Sequence, residues 1–246
     1  MLLETDDLTK SFGGLVAVDG VNIAVKEGEL RSVIGPNGAG KTTFFNLLTG
    51  VLRPTSGDIR FEGESVVGVE PNDRVKRGIS RSFQLTNIFP ELSIQKNVSV
   101  ALQNKLGYGR NFWSNTDSLT DLHAQSLEIL DRVDIDEDPQ TTAAEMSHGE
   151  KRRLEVGIAI AQDPQLLLLD EPTAGMSKEE TRELVEVIES LNDSCTIMLI
   201  EHDIDVVLEL SDQITVLTEG SVIADGTPEE VTNDEDVNEA YIGGKV

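Results

Sequence analysis

Nine consecutive residues, Gly35-Pro36-Asn37-Gly38-Ala39-Gly40-Lys41-Thr42-Thr43, combine backbone freedom, one cation and two hydroxyls, which suits them to holding a polyphosphate. The first eight fit G-x-x-x-x-G-K-[ST] and lie between an apolar run that reads as a strand and a stretch that reads as a helix. Gly38 and Gly40 let the backbone curl so that successive N–H groups point at phosphate oxygens, and the start of the helix adds its positive end. Lys41 can then reach the β- and γ-phosphates of a nucleotide, while the Thr42 hydroxyl can ligate Mg²⁺. Far along the chain, Asp170 and Glu171 follow four consecutive leucines. Carboxylates at the carboxyl end of a buried parallel strand face the crevice where ligands bind. Asp170 there suits the Mg²⁺ shell, and Glu171 suits orienting or deprotonating a water.

Residues so far apart in sequence need a rigid frame. Leu30–Ile34 reads as a short strand, Leu166–Leu169 and Thr196–Ile200 as strands buried on both faces, and Gly20–Val25 alternates as a strand with one buried face would. Leu184, Val187, Ile188 and Leu191 recur at helical spacing and give 180–191 one apolar face. Strand, helix and strand in this order predict a parallel α/β sheet. From about Ser93 to Gln162 helical periodicity takes over, as at Leu154, Gly157, Ile158 and Ala161, and reads as a helical lobe inserted into the α/β core. Ile214–Leu217 and Val222–Ala224 are short apolar runs about a Glu219-Gly220 turn.

Composition narrows the function. The 246 residues carry 20 Lys and Arg against 45 Asp and Glu, a formal charge of −25. Such a surface repels a polyanion over most of its area, so no nucleic-acid partner is expected. The single cysteine, Cys195, forms no intramolecular disulfide, no charged segment followed by an apolar stretch opens the chain, and no apolar run suffices to span a bilayer. An intracellular protein that meets a membrane only through a partner is expected. The charge also predicts work in a salt-rich cytoplasm, where screening relieves self-repulsion.

Met146-Ser-His-Gly-Glu150, then Lys151-Arg-Arg-Leu-Glu155, then Leu166-Leu-Leu-Leu-Asp-Glu-Pro172 resemble the signature motif and Walker B segment of ATP-binding-cassette (ABC) ATPases. The resemblance implies an ABC ATPase fold. That is an α/β P-loop NTPase core with a mostly parallel sheet and N-terminal antiparallel strands, built from 1–83 and 163–246, and a helical subdomain, 84–162, carrying the signature. Ser147 and Glu150 also form a capping box, and a well-capped helix start is an anion site. By resemblance this helix start, with Ser147, Gly149 and Glu150, meets the γ-phosphate of ATP bound to the other subunit of a head-to-tail dimer. Phe12 resembles the aromatic that stacks on adenine, with Val18 nearby. Gln84 resembles the glutamine that touches Mg²⁺ and senses the transport partner, and His202 the histidine that contacts the γ-phosphate. His148 replaces the usual glycine of the signature, and Ser177 stands where an acidic or amide residue often ends the loop after Walker B. Ser177 and Glu180 form a second capping box. His123 and His148 receive no catalytic or metal role.

Within the family, Phe12-Gly-Gly-Leu-Val-Ala-Val18, Phe45-Asn-Leu-Leu-Thr-Gly50, Phe89-Pro-Glu-Leu92 and Glu239-Ala-Tyr-Ile-Gly243 resemble the ATPase subunit of branched-chain amino-acid importers. Importers of urea or short amides share much of this pattern, so the solute stays open. A cytosolic cassette ATPase acting in assembly is a further alternative. The resemblance implies a homodimer or a heterodimer with a paralogous ATPase subunit, transmembrane permease subunits, an extracytoplasmic solute-binding protein in the complex, and a place on the cytoplasmic face of the plasma membrane. The loop from Gln84 through Leu92 is the candidate contact with a permease helix.

Overall fold

A computed structural model describes residues 1–82, 88–105 and 116–238. Its centre is a six-stranded sheet in the order β11-β10-β4-β9-β8-β7, built from Ser221–Gly226 (β11), Gln213–Thr218 (β10), Leu30–Ile34 (β4), Thr196–Ile200 (β9), Leu166–Asp170 (β8) and Ile79–Arg81 (β7). Every pair from β10 to β7 is parallel, and β11 closes one edge as an antiparallel hairpin with β10. Continuous apolar runs suit strands covered on both faces, and β4, β8 and β9 are buried at every position. Alternate leucines of β8 serve different cores. Leu167 and Leu169 pack with the helical side of the molecule, whereas Leu166 and Leu168 pack with Phe44, Phe45 and the N-terminal strands.

Those strands form a second, antiparallel sheet in the order β2-β1-β5-β6, with β3 also paired to β1. They are Leu3–Phe12 (β1), Leu15–Val21 (β2), Ala24–Val25 (β3), Ser56–Phe61 (β5) and Glu64–Ser65 (β6). The single strand expected over Gly20–Val25 is therefore split between β2 and β3. Side chains cause the break. Asn22 Nδ2 donates to the Gly20 carbonyl at 2.8 Å while its Oδ1 accepts from the Asp7 N–H at 2.8 Å, and Ile23 N–H donates to Thr5 Oγ1 rather than to a ladder carbonyl. Competition of this kind from short polar side chains ends a ladder locally.

Helix α1, Lys41–Leu48, follows β4 directly and buries Phe44, Phe45, Leu47 and Leu48. After α2, Pro71–Lys76, and β7, the chain passes into α3 (Ile94–Lys105), α4 (Thr116–Arg132) and α5 (His148–Ile160), which share one apolar cluster through Ile94, Val98, Ile129, Val133 and Leu154. Then α6, Lys178–Asn192, lays Leu184, Val185, Val187, Ile188 and Leu191 against the sheet, and α7, Ile204–Leu210, follows β9. Both proposed capping boxes form: Ser147 with Glu150 opens α5, and Ser177 with Glu180 opens α6. The last described helices are α8, Pro228–Thr232, and α9, Glu235–Val237.

Candidate active site

The phosphate-type loop lies between the C-terminal end of β4 and α1, at the carboxyl edge of the parallel sheet. Its shape needs glycine at two tight points. Gly35 has φ 147° and a Cβ there would meet the Leu217 carbonyl oxygen at 2.0 Å, while at Gly40, φ 102°, a Cβ would meet the Ala17 oxygen at 2.2 Å. Gly40 caps α1 without any side-chain bond, so no side chain of the cap competes for the first-turn N–H groups. Lys41 is buried and folds back, donating from Nζ to the carbonyls of Gly35 at 2.6 Å and Pro36 at 3.1 Å. Burial pushes its pKa down, against the opposing pull of Glu171 and Asp170. An ammonium resting on two carbonyls is a cation placed and ready to exchange them for phosphate oxygens.

A cavity of about 300 Å³ opens over this loop, walled by Asn37 to Thr43 on one side, Phe12, Leu15 and Ala17 on a second, and Glu171 with His202 on a third. Phe12 is about half exposed (47%), with Lys10 Nζ 5.1 Å from its ring centroid. Val18 does not join the wall. It is buried in the core at 1% exposure, because alternation along β2 turns it away from the side on which Ala17 faces the cavity. Gln84 lies outside the described residues.

Glu171 follows β8 with φ 49°, the left-handed region that side chains seldom occupy, and its N–H donates to the Ile200 carbonyl. Backbone strain of this kind clusters at functional sites. It aims Glu171 Oε1 at His202 Nε2, 2.6 Å away, at the end of the adjacent strand. The contact couples the acid to the imidazole in one hydrogen-bonded pair. Beneath this pair lies Glu201, a buried residue that sequence reading passed over. Its Oε1 accepts from Thr173 N–H at 3.0 Å and Thr173 Oγ1 at 2.7 Å, and its Oε2 accepts from His202 N–H at 3.0 Å, so one carboxylate fixes the segments that present both Glu171 and His202. The signal was Ile200-Glu-His-Asp203 itself, an acid at the end of an otherwise apolar strand.

Asp170 is buried, and one oxygen, Oδ2, is held at 2.5 Å by Arg81, which also donates to Asn46 Oδ1 at 2.6 Å. Its other oxygen, Oδ1, is buried with no hydrogen-bond partner among the described residues. A buried carboxylate oxygen left without a partner, in a group near enough to act on Lys41, fits a divalent cation better than it fits an apolar void.

Ser147, Gly149 and Glu150 stand apart from this cavity, at the first turn of α5. Ser147 Oγ accepts from Glu150 N–H at 3.2 Å and Glu150 Oε2 from Ser147 N–H at 2.6 Å. His148 turns away, its Nε2 lying 3.2 Å from the Ala174 carbonyl oxygen. The chain thus carries a cavity over its phosphate-type loop with an acid–imidazole pair at the wall, and at a distance a helix start that presents the Ser147 hydroxyl and the Gly149 amide.

Comparison with known proteins agrees with these features. Residues 18–174 match the family described as ABC transporter, and residues 221–246 match one described as branched-chain amino acid ATP-binding cassette transporter. The chain is 39% identical to the high-affinity branched-chain amino acid transport ATP-binding protein BraF of Pseudomonas aeruginosa, over 98% of each chain. It is 33% identical to the probable LivG protein of Archaeoglobus fulgidus, over 99% of this chain and 96% of that one. Its fold overlays the crystal structure of an ABC transporter cassette in its ADP conformation with a TM-score of 0.86, at 29% identity and 98% coverage of both. With its phosphate loop, parallel sheet and near-complete alignment to these relatives, the chain belongs to the ABC transporter family, as an ATP-binding subunit that hydrolyses ATP.

Proposed function

We propose that this ATPase powers import of branched-chain amino acids through a membrane permease, and that the cavity over Lys41 is one half of its active site. The observation that carries the chemistry is the 2.6 Å contact between Glu171 and His202 at the mouth of that cavity. The solute assignment is supported by the match over residues 221–246 and by the names of the relatives.

ATP enters with its adenine toward Phe12 and its phosphates on the loop, where Lys41 Nζ trades the Gly35 and Pro36 carbonyls for phosphate oxygens. Water attacks the γ-phosphorus, its proton passes to Glu171, and the bond to the β-phosphate oxygen breaks to leave ADP and inorganic phosphate. His202 holds Glu171 in place through Nε2, and it is the residue assigned to contact the γ-phosphate once ATP is bound. Thr42, Asp170 and Gln84 are the residues assigned to Mg²⁺, which when bound neutralises phosphate charge. The core is assigned to 1–83 and 163–246 and the helical subdomain to 84–162.

A second copy, identical or paralogous, completes each site with Ser147, Gly149 and Glu150, so ATP joins the two chains and hydrolysis parts them. The permease contact is assigned to a groove of about 480 Å³ between the core and the helical segment, where Val51, Phe89 and Val100 are 52%, 52% and 41% exposed. Clustered exposed apolar side chains mark partner surfaces. Attachment on this reading is peripheral, through that permease on the cytoplasmic face; among the described residues no helix is long and apolar enough to cross a membrane. An extracytoplasmic binding protein supplies the solute. The test is uptake into proteoliposomes carrying the cognate permease and binding protein. ATP-driven uptake of labelled leucine, lost with Lys41→Ala, is expected; uptake of urea in place of leucine would overturn the solute assignment.

A further inference from the structure

The first turn of α5 already holds an anion from its own chain. Gly149 N–H, at the second helical position, donates to Glu180 Oε1 at 3.1 Å. The same carboxylate accepts from Ser177 N–H through Oε2 at 2.8 Å, and Ser177 Oγ accepts from Glu180 N–H at 3.3 Å. Glu180 therefore spans from the cap of α6 to the signature turn of α5. Glycine makes the span possible, since a Cβ at Gly149 would meet Glu180 Oε1 at 2.8 Å and Cγ at 2.9 Å. Nearby, His148 Nε2 reaches the Ala174 carbonyl oxygen, a second tie between the signature turn and the segment leading from Glu171 to α6. The bonds with Ser177, followed by that with Gly149, hold the Glu180 carboxyl below the usual carboxylate range. It is an anion at neutral pH.

We infer that Glu180 is an intrachain stand-in for the γ-phosphate, occupying the Gly149 N–H until ATP bound to the facing chain displaces it. This rests on the reading that Ser147 and Gly149 complete the partner's site. Two anions cannot share one amide donor without repulsion, so closure onto ATP must release Glu180, and the signature turn stays satisfied in the open state rather than bare. Release also frees the loop between Glu171 and α6 from one of its two ties, so the start of α6 and the hydrolytic residues register the arrival of a partner's nucleotide. Glu180 is a positioning residue, acting through Gly149.

Glu180→Gln tests this, because glutamine is accepted at the third position of a capping box and keeps an oxygen within reach while removing the charge. The half-saturating ATP concentration for turnover should fall about fivefold, the scale expected when a charge-assisted hydrogen bond becomes a neutral one. Turnover at saturation and melting temperature should change little. Hydrogen exchange at Gly149 in the nucleotide-free protein should quicken. A half-saturating concentration that is unchanged or raised overturns the inference and leaves Glu180 as a helix cap. Ser147→Arg, measured alongside, separates the underlying reading: full cooperative turnover in that variant means the signature turn does not complete a partner's site, whatever Glu180 does.

Discussion

Glu171 and His202 are 31 residues apart, yet a left-handed backbone at one and a strand end at the other bring them to hydrogen-bond distance. Replacing the Glu171 carboxylate by an amide of nearly the same shape removes proton acceptance and leaves Lys41, Thr42 and Asp170 in place. Steady-state hydrolysis by Glu171→Gln should fall about 10²- to 10⁴-fold, the range that general-base catalysis supplies, with nucleotide affinity preserved. Glu201 predicts a different pattern. It accepts three hydrogen bonds, and Glu201→Gln would leave two donors facing each other inside a buried site. Losing bonds to a buried charged group costs about 1.5–3 kcal/mol, so this variant should lose both turnover and melting temperature, read by kinetics and calorimetry on one preparation. These hydrogen bonds go to Thr173 and His202 rather than to the phosphate loop, and ATP binding to the folded fraction should survive.

At the scale of elements, what could be read from sequence follows how local its cause was. The four leucines of β8 announce a strand covered on both faces, and the capping boxes at Ser147 and Ser177 announce helix starts, because a spacing of three residues decides them. Strand β1 was not legible. Its Leu3–Phe12 segment is largely polar, and register shifts against β5 across the left-handed Asp7 and against β2 from Leu8 to Ser11 break the alternation that would reveal it. The phosphate loop, Asp170 and Glu171 could be named in advance from motif and strand position, and His202 from the family resemblance. Arg81 on Asp170 and Glu180 on Gly149 could not, because each pairing is made by topology across 89 and 31 residues. Element packing also sets stability. Leu168 of β8 is fully buried in the core it shares with α1 and the antiparallel sheet, so Leu168→Ala should cost about 2–5 kcal/mol in denaturant unfolding, while an exposed change such as Glu189→Ala should cost little.

The whole molecule carries a charge of −25, and in the proposed sandwich two such bodies meet face to face over ATP. Screening length falls from about 10 Å at 0.1 M salt to about 3 Å at 1 M, so both melting temperature and ATPase rate should rise along a potassium chloride series. Equal stability and activity at the low end would remove the salt-rich setting from the account. The central claim is that two chains sandwich ATP between the Lys41 cavity of one and the Ser147 helix start of the other. Light scattering on purified Glu171→Gln, in salt high enough to screen its charge, measures this directly. The account predicts a dimer with ATP and a monomer with ADP. A hydrolytically inactive variant that stays monomeric with ATP would contradict a sandwich of identical chains.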